Sequence, residues 1–211
     1  MHRLALIALV AIPALAVAQM PTQAPGKPDA KLVTAGTYKT DPLHSLISWE
    51  VNHFGFSQYY GLFGDVTGTL ELDPARMQDA KVDVRIPVKS VATVSAALTS
   101  HLLRPGKDGG KPDFFGPAPA DAHFVSTSVQ VDKKDKMKAI IIGNLTLNGI
   151  TKPVTLEAEF IGAGTNPFNK KQTVGFEAET DIKRSEWGLV QGIPLIGDEI
   201  ELDISVAFEK Q

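Results

Sequence analysis

Cysteine is absent from the 211-residue chain. Its absence excludes disulfides, thiolate zinc sites, iron–sulfur clusters and cysteine nucleophiles. An excess of basic charge is also missing, because 21 Lys and Arg face 24 Asp and Glu and the formal net charge is −3. A protein that binds nucleic acid needs a basic face to neutralise phosphates, so the composition argues against a nucleic-acid partner.

An apolar run long enough to span a membrane is missing as well. Residues 4–15 are apolar and follow Arg3, but a helix needs about 20 such residues to cross a bilayer. Ala16-Val17-Ala18 then gives the small-x-small pattern that precedes a cleavage site. Residues 1–18 are therefore predicted to be a cleavable signal peptide, with a membrane anchor as the alternative. No cysteine follows, which rules out a lipoprotein anchor, and we expect a secreted, periplasmic protein.

The residues after the signal peptide divide into two parts. Residues 19–37 are rich in Pro, Ala, Gly and Lys without periodicity, and this composition is typical of a flexible leader. Residues 38–211 are predicted to form one folded domain.

Hydrophobic and polar residues alternate through most of this domain. In the clearest run, Ile200 and Leu202 share one face of a strand, while Glu201 and Asp203 share the other. Such alternation predicts a sheet with one dry face and one wet face. Eight strands are predicted, at residues 46–53, 66–73, 80–86, 122–131, 137–147, 154–160, 174–182 and 199–209. Asn148-Gly149 predicts a tight hairpin between the fifth and sixth of them.

Eight antiparallel strands with short links indicate an all-β protein, either a closed barrel or a sandwich. Carboxylates on one strand face would be costly against lipid, so that face must contact water and no membrane insertion is expected. The apolar face therefore lines the interior. One long interruption separates the third and fourth predicted strands, with a helix predicted at residues 93–103 and an irregular Gly- and Pro-rich stretch at residues 105–112.

Fragments spread over the whole domain resemble the YceI-like family. They lie at residues 38–53, 61–63, 66–70, 114–115, 143–154, 166–168, 175–178 and 182–188. That family is exported and lipocalin-like and binds polyisoprenoids and similar long-chain amphiphiles. The resemblance implies an eight-stranded, antiparallel lipocalin-like barrel with an isoprenoid or other long-chain lipid as its ligand. The chain departs from the family pattern at residues 102–113, where a Gly- and Lys-rich stretch leaves the shape of the barrel mouth open.

Combined with the alternation, the resemblance predicts which residues line the lumen and contact the ligand. They are Trp49, Val51, His53, Phe63, Leu70, Val84, Gly143, Leu145, Leu156, Phe160, Phe176, Ala178, Trp187, Leu202 and Ile204. Small residues at inward positions, namely Gly68, Ala80, Gly143, Ala158 and Ala178, leave volume for an occupant, because natural interiors tolerate few voids. Arg184 is predicted either to orient a polar head group or to be a solvated turn residue.

Three functions follow from these patterns. The first is a periplasmic binding or carrier protein for a polyisoprenoid, a quinone tail or a fatty-acid-like lipid. The second is a filled structural or stress-related barrel without ligand. The third is a hydrolase using Ser100-His101, which lacks a Gly-x-Ser-x-Gly elbow. The sequence favours the first, a protein that is not an enzyme.

Metals and cofactors are not expected. His44, His53, His101 and His123 are not spaced as metal ligands, and no thiolate is available to complete a site. The oligomeric state stays open, with a homodimer as one alternative.

Overall fold

The computed structural model describes residues 22–211. The signal peptide predicted for residues 1–18 lies outside the described residues. The ten strands of the described part are β1 (Gly36–Thr40), β2 (Leu46–His53), β3 (Ser57–Phe63), β4 (Thr67–Leu72), β5 (Lys81–Ile86), β6 (Ala122–Val131), β7 (Lys138–Leu147), β8 (Ile150–Thr165), β9 (Gln172–Lys183) and β10 (Ile196–Lys210). The one α-helix there is α1 (Ala96–Leu103), and short 3₁₀ helices span Ala30–Leu32, Met77–Asp79, Val88–Ser90, Lys107–Gly109 and Arg184–Trp187.

The strands form a closed antiparallel barrel. The sheet order is β1-β4-β5-β6-β7-β8-β9-β10, and β10 returns to β1 through the pair Tyr38↔Lys210. These eight strands leave no open edge in the ring, which confirms the predicted eight-stranded all-β barrel. The predicted interruption is also confirmed, because α1 and its flanking loops separate β5 from β6.

At two places around the barrel, two shorter strands lie end to end where one long strand would otherwise stand. Along β10, residues 208–210 pair with β1 and residues 196–205 pair with β2, so β1 and β2 follow each other in the same direction. In the next position, β3 pairs with β2 and β4 pairs with β1. On the far side of this position, β4 pairs with β5, whereas β3 is joined to the segment before α1 by the single bridge Leu62↔Ala92.

The barrel has two ends, which we name by their connections. The upper end carries the β2–β3 turn at residues 54–56, the β7–β8 turn at 148–149, the β9–β10 connection at 184–195 and the α1 insertion at 87–121. The lower end carries the turns at residues 73–80, 132–137 and 166–171. At the upper end, Asn148 and Gly149 both have positive φ, as a type I′ hairpin requires, so the predicted tight turn is confirmed.

The strand faces follow the predicted alternation. On β10, Glu199, Glu201 and Asp203 are exposed, while Ile200 and Leu202 line the interior. The lower end is closed by a cluster of buried residues that includes Tyr38, Val174 and Phe208. The helix begins three residues later than predicted because the Ser95 side chain accepts a hydrogen bond from the Leu98 amide and caps it.

The alternation pattern does not predict β1 or β3. β3 carries apolar or aromatic residues on both faces, since Tyr59 and Phe63 point inward while Tyr60 and Leu62 are exposed. β1 has only five residues. The predicted flexible leader also differs from the structure, because Lys27 exchanges two backbone hydrogen bonds with Ala163. The folded part therefore extends to Lys27 at least, beyond the predicted domain boundary at residue 38.

Candidate functional site

The barrel interior contains two apolar chambers. The upper chamber has a volume of 320 Å³ and the lower chamber has a volume of 180 Å³. Ile47, Ile86, Leu145 and Leu202 contribute to the walls of both, so the chambers adjoin one another along the lumen. A volume of 320 Å³ is within the range of small-molecule sites in proteins.

The upper chamber is built from β2, β3 and the α1 insertion. Of the predicted site residues, Trp49, Val51, His53 and Phe63 line this chamber. They are adjacent because consecutive inward positions of β2 project to the same side, with Trp49 opposite Gly61 of β3. Alternation on β2 thus produces a row of side chains pointing into the lumen.

The lower chamber is built mainly from the strands β4 to β10. The predicted site residues that line it are Leu70, Val84, Leu156, Phe160, Phe176, Ala178 and Ile204, and Leu145 and Leu202 line both chambers. Ala158 lies directly opposite Ala178 in the β8–β9 pairing, and both line this chamber. Their short side chains leave room between the ring pair Phe160–Phe176, whose centroids are 5.6 Å apart, and the neighbouring wall.

Gly143 and Trp187 do not line either chamber. A Cβ on Gly143 would overlap the Phe124 ring and lie 2.7 Å from the Val125 carbonyl oxygen, so its neighbours already fill this position. Gly68 is likewise covered by the backbone of β5. Of the small inward residues, the alanines therefore leave lumen volume and these two glycines do not.

Trp187 has a structural position. Its side chain is 1% exposed and packs in a core cluster with Phe124, Val154 and Ile182. The indole Nε1 donates a hydrogen bond to the Leu145 carbonyl oxygen at 3.2 Å. Trp187 thus belongs to the packed core of the barrel interior and does not line either chamber, which differs from its predicted role as a lumen residue.

The α1 insertion supplies a further part of the wall of the upper chamber. Leu98, Leu102, Phe114 and Phe115 line the chamber from this segment. The irregular stretch at residues 105–112 leaves and rejoins the wall at one place, because the Phe115 amide donates to the Leu102 carbonyl oxygen at 3.0 Å. The Gly- and Lys-rich stretch therefore loops away from the chamber and does not obstruct it.

A polar clasp fixes the ends of that loop. Asp113 Oδ2 accepts hydrogen bonds from Arg104 Nη2 at 2.6 Å and from the His101 ring at 3.2 Å. The Arg104 guanidinium, and after it the His101 ring, lower the pKa of the Asp113 carboxyl. The clasp precedes Phe114 and Phe115, which line the chamber.

Arg184 is a buried cation in the wall of the upper chamber. Its guanidinium donates to three backbone carbonyls, those of Gly197 at 2.7 Å, Leu189 at 2.6 Å and Ile196 at 2.9 Å. Burial lowers the pKa of this guanidinium, and the charge of Asp198 opposes the shift. Arg184 thus fastens the β9–β10 connection, so it is neither a solvated turn residue nor free to devote all its donors to a ligand.

Polar groups are sparse in the chambers. Within residues 22–211, no Asp or Glu lines either chamber, and Trp49 Nε1 is buried without a hydrogen-bond partner. In the same residues, no group of three or more His, Asp or Glu is arranged to hold a metal ion. His53 and His101 line the upper chamber, whereas His44 pairs with Asp41 and His123 pairs with Asp83.

Several chamber residues lie outside the set predicted from sequence. Tyr59 belongs to β3, which shows no alternation, and Leu98, Leu189 and Ile196 come from the insertion and the β9–β10 connection. Phe114 and Phe115 carried a signal as part of the family resemblance, and Ile200 carried one through the alternation on its strand. The described residues contain no helix with the length and apolarity needed to traverse a bilayer.

Comparisons with known proteins agree with this geometry. The family model of the YceI-like domain matches residues 38–208. A protein called YceI from Salmonella arizonae is 39% identical over 175 residues, which cover 82% of this chain and 86% of that protein. The crystal structure of BcnA from Burkholderia cenocepacia is similar in fold, with a TM-score of 0.65 at 21% identity over 80% of this chain and 98% of that one. A polyisoprenoid binding domain from Saccharophagus degradans shares the fold, with a TM-score of 0.54 at 12% identity over 82% of this chain and 98% of that domain.

Proposed function

The chain belongs to the YceI-like family, and on that premise we propose that it binds a long-chain amphiphile such as a polyisoprenoid in its barrel lumen. The observation that carries the proposal is the pair of adjoining apolar chambers along the barrel. A chain-like apolar molecule fits such a lumen because hydrophobic attraction is non-directional and grows with buried area. The neighbouring fold that is named as a polyisoprenoid binding domain supports this ligand class.

The energetic cost of an unfilled lumen supports an occupant. At about 24 cal/mol per Å³, an unfilled volume of 320 Å³ would cost about 8 kcal/mol. A native domain is stable by only about 5–15 kcal/mol, so a void of this size is a large fraction of the total. Selection for a well-packed structural barrel would have filled the chambers with larger side chains. The filled-barrel alternative is therefore less well supported than the carrier.

A binding role is better supported than catalysis. No Asp or Glu lines the described chambers, and the carboxylate that pairs with His101, that of Asp113, also binds Arg104 in the clasp at the base of the insertion. Ser100, the candidate nucleophile, is exposed on α1 beside it. Adjacent helix residues do not face one another, so these two side chains do not form a nucleophile–base pair. The protein is proposed to be a carrier and not an enzyme.

The carrier is proposed to act in the periplasm. The support is the sequence of residues 1–18, with Arg3, an apolar run and the Ala16-Val17-Ala18 pattern. A soluble carrier in an aqueous compartment would shield an apolar chain from water.

Mass spectrometry of an organic extract tests the proposal. The full chain is expressed, purified from the exported fraction without detergent and extracted, and a long-chain lipid is expected at near one mole per mole of protein. Two matched variants distinguish lipid bound in the lumen from lipid bound at the surface. Ala178→Leu narrows the lower chamber, and Glu179→Gln changes the outer face of the same strand. The first should lower the recovered lipid and the second should not. No lipid in the wild-type extract, with no uptake of a polyprenyl lipid offered in detergent, would overturn the proposal.

A further inference from the structure

Four apolar side chains are exposed at the upper end of the barrel. Phe56 is 92% exposed, Val190 and Leu195 are each 60% exposed, and Phe54 is 45% exposed. We call these four residues the upper collar. Single exposed apolar residues are ordinary, but four on neighbouring loops form a patch that calls for a partner.

The two loops that carry the upper collar contact each other. The Phe54 amide donates to the Leu195 carbonyl oxygen at 2.7 Å, and His53 pairs with Ile196 between β2 and β10. Arg184 holds the second loop through the carbonyls of Leu189 and Ile196. The collar is therefore displayed on a fastened framework.

The parts of both loops that carry the collar lack charged side chains. Residues 51–63 and residues 187–197 contain no Asp, Glu, Lys or Arg. In contrast, the outer faces of β8, β9 and β10 carry eight exposed carboxylates, which are Glu157, Glu159, Glu177, Glu179, Asp181, Glu199, Glu201 and Asp203. Charge is costly in the hydrocarbon region of a bilayer, so the upper collar is suited to contact lipid and this flank is not.

The upper collar is continuous with the upper chamber. His53, Leu189 and Ile196 line the chamber, and each is directly followed or preceded in the chain by an exposed collar residue. At each of these places, neighbouring residues thus present apolar surface both outside and inside the barrel mouth. A lipid that moves along this surface stays in contact with apolar groups between the exterior and the lumen.

We propose that the upper collar docks the protein onto a lipid bilayer, with Phe56 and its neighbours reaching past the headgroups at the mouth through which the ligand enters or leaves. The proposal rests on the proposed function, because a lipid carrier must exchange its ligand with a membrane. Binding through a few side chains is weak and reversible, which suits a carrier that must detach. A second copy of the chain is a poorer occupant, since a stable interface needs about 800 Å² per partner and four partly exposed side chains supply less.

Flotation with phosphatidylcholine vesicles tests the docking. Phe56→Asp and Leu195→Asp should each lower vesicle partitioning by about tenfold or more, because each places a charge where an apolar group was buried. Phe168→Asp is the matched control, since Phe168 is 75% exposed in the lower-end turn at residues 166–171. It should leave partitioning unchanged. These side chains are exposed, so the variants should retain the wild-type melting temperature.

Two results would overturn the docking. One is a wild-type protein that does not float, or collar variants that float as well as the Phe168→Asp control. The other is a change in oligomeric state on Phe56→Asp, measured by light scattering, with vesicle binding unaffected, which would assign the collar to a second copy. Uptake of a polyprenyl lipid offered in detergent reports the lumen separately. A wild-type protein that takes up the lipid but does not float would contradict the docking alone, and one that floats but takes up no lipid would contradict the carrier function alone.

Discussion

Ala178→Leu should stabilise the lipid-free protein while lowering its lipid content. The Ala178 side chain lines the lower chamber of 180 Å³ opposite Ala158. Leucine adds three carbon atoms, and burial of each is favourable by about 0.8 kcal/mol, so the gain is about 2 kcal/mol where the new atoms meet no obstacle. At roughly 24 cal/mol per Å³, the unfilled lower chamber costs about 4 kcal/mol, so the gain is within what filling can recover.

Gly143→Ala is the matched opposite case. It adds one carbon atom to an inward position that the Phe124 ring already occupies, and that atom would lie 2.7 Å from the Val125 carbonyl oxygen. Overpacking of this kind costs typically about 1–3 kcal/mol. The larger substitution should therefore stabilise and the smaller one should destabilise, a reversal that follows only from where the lumen is open.

Urea unfolding of delipidated protein measures both changes. A gain of about 2 kcal/mol corresponds to a rise in Tm of roughly 4–8 °C for a domain of this size. Lipid recovered per mole of protein is measured on the same preparations before delipidation. The reasoning is refuted if Ala178→Leu destabilises the lipid-free protein by about 1 kcal/mol or more, since the lower chamber would then be packed core. Undiminished lipid in that variant would instead show that the ligand does not enter the lower chamber.

Three further outcomes are expected. Arg184→Met should lower the free energy of unfolding, measured in urea, by about 3 kcal/mol, because three backbone carbonyls lose their donor. Arg104→Met breaks an exposed ion pair and should lower it by less than about 1 kcal/mol. Glu50 and the neighbouring carboxylates raise the pKa of Glu201, so its ionisation lowers stability as the pH rises through that pKa. Glu201→Gln should thus raise Tm at pH 7, have no effect below about pH 3, and lose its benefit in high salt. The intact mass of the exported protein should place its first residue at Gln19. A mass that still includes residues 1–18 would contradict the predicted cleavage site.

The sequence predicts the barrel well because the barrel is defined by strand faces. A strand such as β10, with Leu202 inside and Glu201 outside, must alternate to bury one face and hydrate the other, and this pattern is local. β3 escapes prediction because Tyr60 and Leu62 are apolar on its outer face. The difference between the two strands is physical: only one has an outer face covered by charge.

The candidate site is predictable only in part for a related reason. An inward position is readable from alternation, and Phe176 and Ala178 are located correctly in the chamber wall in this way. Whether such a position is open depends on neighbours distant in sequence. Gly143 is inward but covered by Phe124, and Trp187 reaches the barrel through a hydrogen bond to Leu145. Neither contact has a local pattern in the sequence.

The interrupted strands give the two halves of the barrel different kinds of wall. In the lower half of the barrel, β1, β4 and β5 complete the ring through backbone hydrogen bonds, so the wall there has a fixed geometry. In the upper half, β3 connects to the insertion through the pair Leu62↔Ala92, and side chains such as Phe115 form the wall instead. A wall of side chains can accept a longer connection without breaking a strand ladder. Residues 105–112 belong to such a connection, whose base the Arg104–Asp113 pair closes at 2.6 Å, and none of them lines the chambers.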